Sequence, residues 1–257
     1  MSASTLKAIR PDIQALRAIA VLFVIAFHLY PNRLTGGFIG VDIFFVISGF
    51  LITSHIAKDI YSGSFSVTAF WARRIRRLLP AAFLVLSVTL VAIYFLAHLS
   101  DQPSWYRQVF SSTLYFQNWE LANSAVDYLA TQTNPSPVQH FWSLSVEEQF
   151  YIAWPLILVL VTASAAINYR NLRTRMFAML ALIFFMSLGY SVFLSLNNPA
   201  VAYFSTFTRA WEFCAGAILA LCHSSLFARV KPRIRPVIAG ISIIALIFDA
   251  FIFSTKS

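Results

Sequence analysis

The sequence predicts an all-α fold, a polytopic bundle of transmembrane helices, and three observations lead to this prediction. Of the 257 residues, 59% are hydrophobic and only 11% are charged, which is more apolar than a soluble domain of this length requires. Apolar runs long enough to cross a bilayer recur along the whole chain. The basic residues behind the net charge of +9 lie in short clusters between these runs, which is typical of the inner loops of a membrane protein and not of a nucleic-acid surface.

About seven spans and one further helix account for the hydrophobic pattern. The candidate spans are 13–30, 41–58, 78–99, 141–163, 176–196, 204–223 and 236–253. The run 105–121 is interrupted by polar residues, and a full crossing there would place every later basic cluster outside. We therefore expect an outer interfacial or re-entrant helix at 105–121, with the N-terminus of the chain on the inner side.

Smaller signals refine this picture. Ser66 is expected to cap a short helix on the inner side, because its hydroxyl can accept from a free N–H at a helix start. Cys214 and Cys222 share one apolar run and have no metal-ligand spacing. We interpret them as reduced core residues.

The stretch Phe141–Pro155, FWSLSVEEQFYIAWP, carries two adjacent carboxylates at the start of an apolar run. Ionisable groups in a membrane span are expensive and often functional. At helical pitch Glu148 shares a face with Ser145 and Tyr151, while Glu147 points about 100° away. Two interpretations remain open: both acids lie at headgroup level, or one of them is a general base, or orients a base, in a pocket on one side of the membrane.

Span one adds a histidine and an arginine on one helix face. Arg17 and His28 lie about 16 Å apart along the axis, with His28 in the outer half together with Asp42 and the two glutamates. An imidazole near carboxylates can be held in one tautomer and act as a base, although a lone histidine is more often a satisfied core residue. Arg209 and Glu212 can pair on one face of span six, where a structural ion pair is the favoured interpretation.

Four arginines surround Ile75 in the inner segment between spans two and three. Arg74 and Arg77 share one helix face, and Arg73 and Arg76 share another. Their simplest role is to mark the inner side of the membrane, but guanidinium groups in this arrangement also suit a polyphosphate ligand. The sequence contains no glycine-rich phosphate loop and no His/Cys metal cluster, so we expect no metal and no permanently bound cofactor.

These residues stand in stretches that resemble the acyltransferase-3 family of integral membrane O-acyltransferases, whose members acylate surface polysaccharides such as O-antigen and peptidoglycan. The stretches that carry the resemblance are RPDIQALRAIAVLFVIAFH at 10–28, GGFIGVDIFFVISGFLIT at 36–53, FWARRIRRLLP at 70–80 and HFWSLSVEEQFYIAWP at 140–155, with RAWEFCAGAILA at 209–220 in support. Together they extend over nearly the whole chain.

The resemblance implies roles for individual residues. The family's arginine and histidine in the first span match Arg17 and His28. Its aspartate in the second span matches Asp42 and its glutamate matches Glu147, and we expect His28, Glu147 and Asp42 to be the catalytic residues. Its cytoplasmic RxxR, associated with acyl-CoA, matches Arg74 and Arg77, and we place Arg73 and Arg17 with them on the donor side. Glu148, Arg209 and Glu212 are the expected supporting polar residues.

The function implied is acyl transfer, with acyl-CoA (acetyl-CoA) as donor substrate and a carbohydrate hydroxyl as acceptor. His28, positioned by Asp42 or Glu147, removes the acceptor proton, since a hydroxyl is a poor nucleophile near neutral pH. An acyl-His intermediate is left open. The competing class is a transporter or flippase whose buried charges line a substrate path; a purely structural membrane protein leaves the Arg17–His28 face unexplained.

The resemblance also bears on location and completeness. It implies a bacterial inner (cytoplasmic) membrane, the lipid bilayer as a partner, and acceptors such as O-antigen, exopolysaccharide, lipopolysaccharide or peptidoglycan. The family core usually has about ten helices, and relatives often continue into an extracytoplasmic hydrolase-like SGNH domain. We expect residues 1–257 to form one transmembrane acyltransferase domain that is C-terminally incomplete and has no SGNH domain. The sequence does not indicate an oligomeric state.

Overall fold

A computed structural model describes residues 10–30, 32–126, 134–163 and 169–252 of the chain. Every regular element in these residues is a helix, which confirms the all-α prediction. The helices are α1 (Pro11–Leu29), α2 (Ile39–Tyr61), α3 (Val67–Leu96), α4 (Gln102–Thr113), α5 (Gln117–Val126), α6 (Phe141–Ala163), α7 (Tyr169–Asn197), α8 (Pro199–Phe204), α9 (Thr206–Arg229) and α10 (Arg235–Ile252).

Five of these helices are long and apolar enough to cross a membrane: α1, α2, α3, α6 and α7. They coincide with the first five predicted spans. Helices α9 and α10, of 24 and 18 residues, occupy the last two predicted spans. The chain is therefore a multi-pass helical membrane protein. We name its two ends by residues they carry: α1 ends and α2 and α6 begin at the His28 end, while α2 ends and α3 begins at the Arg74 end.

Helix α2 is packed closely against α9 at the centre of the bundle. A Cβ on Gly49 of α2 would lie 2.1 Å from the carbonyl oxygen of Phe213, and a Cβ on Gly216 of α9 would lie 1.9 Å from that of Val46. The missing side chains therefore let the two backbones meet, as small residues commonly do between membrane helices. Any larger residue at either glycine would force α2 and α9 apart.

Aromatic rings fill the space where α2, α6 and α9 meet. Phe150 of α6 stacks on Phe213 of α9 with ring centroids 3.9 Å apart, and on Trp154 at 4.3 Å. Phe45 of α2 also stacks on Phe213, with ring centroids 4.8 Å apart. Large buried rings provide extensive apolar contact and a defined stacking geometry, so these rings pack the three helices against one another.

The run 105–121 forms two short helices where one was expected. The chain turns between α4 and α5 at Tyr115, whose φ of 57° is in the left-handed region. The amide of Gln117 donates to Gln108 Oε1 at 2.9 Å, and Arg107 pairs with Glu120 at 2.5 Å. These polar contacts tie α4 to α5 and explain why a segment with so many polar side chains folds back on itself.

The arginine-rich segment is also more regular than its sequence indicates. Ser66 caps the start of α3, where its hydroxyl accepts from the N–H of Ala69 at 3.3 Å, as expected. The helix then continues for 30 residues through Pro80, so the expected short helix and span three are one element. The arginines consequently lie on the early turns of a membrane-spanning helix.

Candidate active site

A cavity of about 850 Å³ opens at the His28 end, within the size range of small-molecule sites. Its walls come from the last turns of α1, the start of α2, the segment 135–143 and helix α8. Polar groups are provided by His28, Gln139 and His140, and aromatic walls by Trp142 and Tyr203. Aromatic faces beside scattered hydrogen-bonding groups are suited to a carbohydrate as well as to other amphipathic ligands.

His28 is exposed to this cavity, and its tautomer is held by its own helix. Nδ1 lies 2.8 Å from the carbonyl oxygen of Val24, so this nitrogen carries the hydrogen and donates it. Nε2 is left with a free lone pair, which is the form required of a general base. In the described structure Asp42 pairs with Arg209, and Glu147 accepts from Ser48 and Tyr151. Positioning of the imidazole by one of these carboxylates therefore stays a prediction.

His140 is a second imidazole on the same cavity, and the sequence analysis did not single it out. It lies in the turn immediately before α6, with its ring 5.1 Å from that of Phe141. Burial lowers the pKa of His140 below the ordinary histidine range and His28 lowers it further, while a hydrogen bond to the Pro137 carbonyl opposes the shift. These surroundings therefore favour the neutral form of His140. The available signal was its place as the first residue of the stretch 140–155.

Polar contacts hold the segment that carries His140. Gln108 of α4 accepts from Ser136 Oγ at 2.6 Å, and Asn134 donates to Asp101 at 2.9 Å. The indole of Trp105 donates to the Asn134 carbonyl at 3.0 Å. The α4–α5 pair therefore acts as the support of one cavity wall.

Asp42 belongs to a largely buried ion cluster that contacts Tyr203, a residue of the cavity wall. Arg209 Nη1 lies 3.0 Å from Asp42 Oδ1 and 3.0 Å from Glu212 Oε1, which confirms the predicted Arg209–Glu212 pair. The same guanidinium donates to the Tyr203 carbonyl at 3.1 Å and packs over the Tyr203 ring at 5.0 Å. This cluster joins α2 to α9 and fixes Tyr203, a cavity wall, so its contacts are structural.

Glu147 lies in a different cluster, deeper than the cavity. It accepts hydrogen bonds from Ser48 Oγ of α2 and from the hydroxyl of Tyr151, one turn further along α6. Glu148 has one buried carboxylate oxygen without a hydrogen-bond partner in the described structure. The sequence had suggested that Tyr151 shares a helix face with Glu148, three positions away. In the structure its hydroxyl instead donates to Glu147, four positions away.

The four arginines differ in their surroundings. Arg74 is half-buried, with its guanidinium carbon 4.3 Å from the centre of the Tyr151 ring, an attractive cation–π geometry. Arg73 lies 3.7 Å from Asp59, whereas Arg76 and Arg77 are exposed. The RxxR pair therefore divides into one arginine that turns into the protein and one at its surface.

Arg17 is half-buried on α1 and has no ion pair among the residues that the structure describes. No group of three or more His, Cys, Asp or Glu residues capable of holding a metal occurs in that part of the chain. Cys214 is buried and Cys222 is half-buried, and no disulfide joins them in the described structure.

Comparison with known proteins identifies the family. The sequence profile of the acyltransferase domain family (Acyl_transf_3) matches residues 10–255. YrhL of Bacillus subtilis (strain 168), named as a proposed peptidoglycan O-acetyltransferase, is 39% identical over 82% of the chain and 33% of its own length. The O-acetyltransferase OatA of Staphylococcus aureus (strain NCTC 8325 / PS 47) is 35% identical over 92% of the chain and 38% of its own length.

The chain spans only about a third to two-fifths of the curated relatives it matches. No solved structure matches it significantly. The family match nevertheless includes all of the stretches from which the resemblance was inferred, and all of the described helices from α1 to α10. The chain belongs to the acyltransferase-3 family.

Proposed function

We propose that the protein transfers an acyl group, most simply acetyl, from acyl-CoA to a hydroxyl of a carbohydrate on the far side of the bacterial inner membrane. The observation that carries this proposal is the separation of two polar sites. A cavity with a base-competent imidazole lies at the His28 end, and four arginines lie on α3 towards the Arg74 end.

The acceptor is proposed to bind in the cavity. Its volume accommodates one or two sugar rings, and Trp142 and Tyr203 offer flat faces against which a ring can pack. His28 Nε2 would accept the proton of the acylated hydroxyl, and the neutral His140 would offer a second polar contact. Relatives are named for O-acetylation of peptidoglycan and O-acetylation in general, so we favour peptidoglycan over O-antigen and other surface polysaccharides as the acceptor.

The donor is proposed to approach from the opposite side. The basic clusters predict that the N-terminus and the Arg74 end face the cytoplasm, where acyl-CoA is made. Arg77, at the surface, suits the phosphates of the donor, since guanidinium groups bind phosphate in a bidentate manner. Arg74, directed inward, suits the part of the donor nearest the thioester.

The direct test is transfer of radiolabelled acetyl from acetyl-CoA to cell-surface glycan, compared between cells with and without the protein. We expect alkali-labile label in the glycan only when the protein is present. Uptake or export of the glycan without acetylation would instead support a transporter or flippase and contradict the proposal.

A further inference from the structure

Ser48 has the surroundings of an activated hydroxyl. Its Oγ donates a hydrogen bond to the carboxylate of Glu147, and the hydroxyl of Tyr151 lies 3.4 Å from the same Oγ. A hydroxyl that donates to an adjacent base is the pairing by which proteins generate an oxygen nucleophile. Glu147 therefore has a chemical partner in this structure, although that partner is Ser48 and not His28.

The position of Ser48 places it between the two proposed substrate sites. Val41 lines the cavity, and Ser48 is on the same face of α2 two turns deeper, about 10 Å along the axis. On α6, Ser143 lines the cavity and Glu147 lies one turn beneath it, about 6 Å away. The buried ring of Phe45, packed edge-on against Trp142, fills the intervening layer.

The same cluster is reached from the Arg74 end. Arg74 places its guanidinium over the face of Tyr151, which donates to Glu147. The indole of Trp71, on the preceding turn of α3, donates to the Tyr151 carbonyl at 3.1 Å and fixes α3 against α6 at this level. A positive charge held here can stabilise the oxyanion that forms when an acyl carbonyl is attacked.

We propose that Ser48 is the nucleophile that carries the acyl group, as an oxygen ester, between the donor and the acceptor. This inference rests on the proposed function. In the first half-reaction Ser48 Oγ bonds to the thioester carbonyl carbon, its proton passes to Glu147, and the carbon–sulfur bond breaks. The thiolate of CoA leaves and takes a proton from water on the donor side.

In the second half-reaction the acceptor oxygen bonds to the acyl carbon and the bond to Ser48 Oγ breaks. Glu147 returns its proton to Ser48, and the acceptor proton passes by way of water to His28, which releases it in the cavity. Phe45 must leave its packed position for this step, so the layer between the cavity and Ser48 opens once per turnover. Glu147 and His28 lie at different depths in the bundle, and each thus acts as the base in one half-reaction.

The test is to trap the ester. The protein in membranes is incubated with radiolabelled acetyl-CoA in the absence of acceptor, digested, and analysed by mass spectrometry. We expect one acetyl group on the peptide that contains Ser48, stable to hydroxylamine at neutral pH and released at alkaline pH. An acyl-imidazole on His28 would be released already at neutral pH, and finding the label there would overturn the proposal.

Four variants make the result specific. Ser48→Ala should lose both the label and glycan acetylation, whereas Ser145→Ala, which removes a buried hydroxyl that donates to the Phe141 carbonyl of its own helix, should retain both. Ser48→Cys should carry a thioester that neutral hydroxylamine releases, which also shows that the fold tolerates change at this position. His28→Ala should accumulate label on Ser48 that acceptor does not remove.

The outcomes separate this inference from the function on which it rests. Glycan acetylation by Ser48→Ala at the wild-type rate, with normal protein level, would overturn the role of Ser48 and leave the transferase function in place. Failure of the wild-type protein to acetylate glycan from acetyl-CoA would overturn both.

Discussion

The two polar clusters of the bundle differ in whether a cation bonds directly to the carboxylates. Around Arg209 one guanidinium contacts two carboxylates and a backbone carbonyl, and the second carboxylate oxygen of Glu212 is buried without a described partner. Around Glu147 the carboxylate takes two hydroxyl donors, and the nearby Arg74 lies over a ring without a described ion pair. Breaking the first cluster should affect folding, and changing the second should affect chemistry.

The largest expected effect lies outside both clusters, at His28, the proposed general base in the cavity. His28→Ala should lower acyl transfer by roughly 100- to 10,000-fold, the usual contribution of a positioned base, with insertion and yield unchanged. His55→Ala is a matched control, because His55 makes the same bond to a carbonyl one turn back, Leu51 at 2.6 Å, on α2 towards the Arg74 end. Normal transfer by a well-inserted His28→Ala protein would remove His28 from the mechanism.

Next in size is the loss of Arg209. Arg209→Ala would leave the buried Glu212 and the partly exposed Asp42 without their shared cation, and removing one partner of a buried ion pair typically costs about 3–5 kcal/mol. We expect a sharp fall in folded protein, measured by thermal unfolding in detergent. Arg107→Ala, which breaks a more exposed pair with Glu120, should change stability by less than about 1 kcal/mol. Equal losses in the two variants would show that the Arg209 cluster is not a structural centre.

Replacing each of the two adjacent glutamates in turn is the sharpest test of the cluster around Glu147. Glu147→Gln should lower transfer by roughly 100-fold or more, because it removes a positioned base while keeping the size of the side chain. Glu148→Gln should retain most activity. Both are measured at equal protein level. A dead Glu148→Gln beside an active Glu147→Gln would mean that the chemistry belongs to the other acid.

The arginines should differ as their exposure does. Arg74→Ala and Arg77→Ala are each expected to weaken donor binding by roughly 10- to 150-fold, the cost of a charge-assisted hydrogen bond of about 1.5–3 kcal/mol. Arg74→Ala should in addition lower the rate at saturating donor, since its guanidinium packs over Tyr151. Isothermal titration calorimetry with CoA measures the donor affinity, and saturation kinetics measure the rate at saturating donor, so the two effects can be separated. Unchanged donor affinity in both variants would leave the arginines with a topological role alone.

The smallest effect concerns pH. Because the pKa of His140 is lowered by burial, the unfolded chain binds this proton at a higher pH than the folded chain does. Stability contributed by the neutral ring is present above the ordinary histidine pKa of about 6.5 and falls as pH drops below it. We expect the loss of Tm between pH 7 and pH 5 to be smaller in His140→Gln than in wild type. An identical loss would show that His140 titrates as it does in the unfolded chain.

The sequence by itself determined the class, the spans and the family. In a bilayer the backbone N–H and C=O groups of a long apolar run must bond within the run, as they do in a helix. The basic clusters between the runs predicted which segments cross. The pairing of Arg209 with Glu212 and the cap at Ser66 were also predictable, because both depend on neighbours within one turn of a helix.

The tertiary structure decided which groups meet. Helical pitch places Tyr151 near both glutamates, but only the packing of α2 against α6 brings Ser48 to Glu147 and leaves His28 to its own helix. The role of His140 could not be predicted from the sequence either, since its burial depends on a wall supported by α4 and α5. Contacts between helices far apart in the chain depend on how the helices pack, which the periodicity of any single helix does not specify.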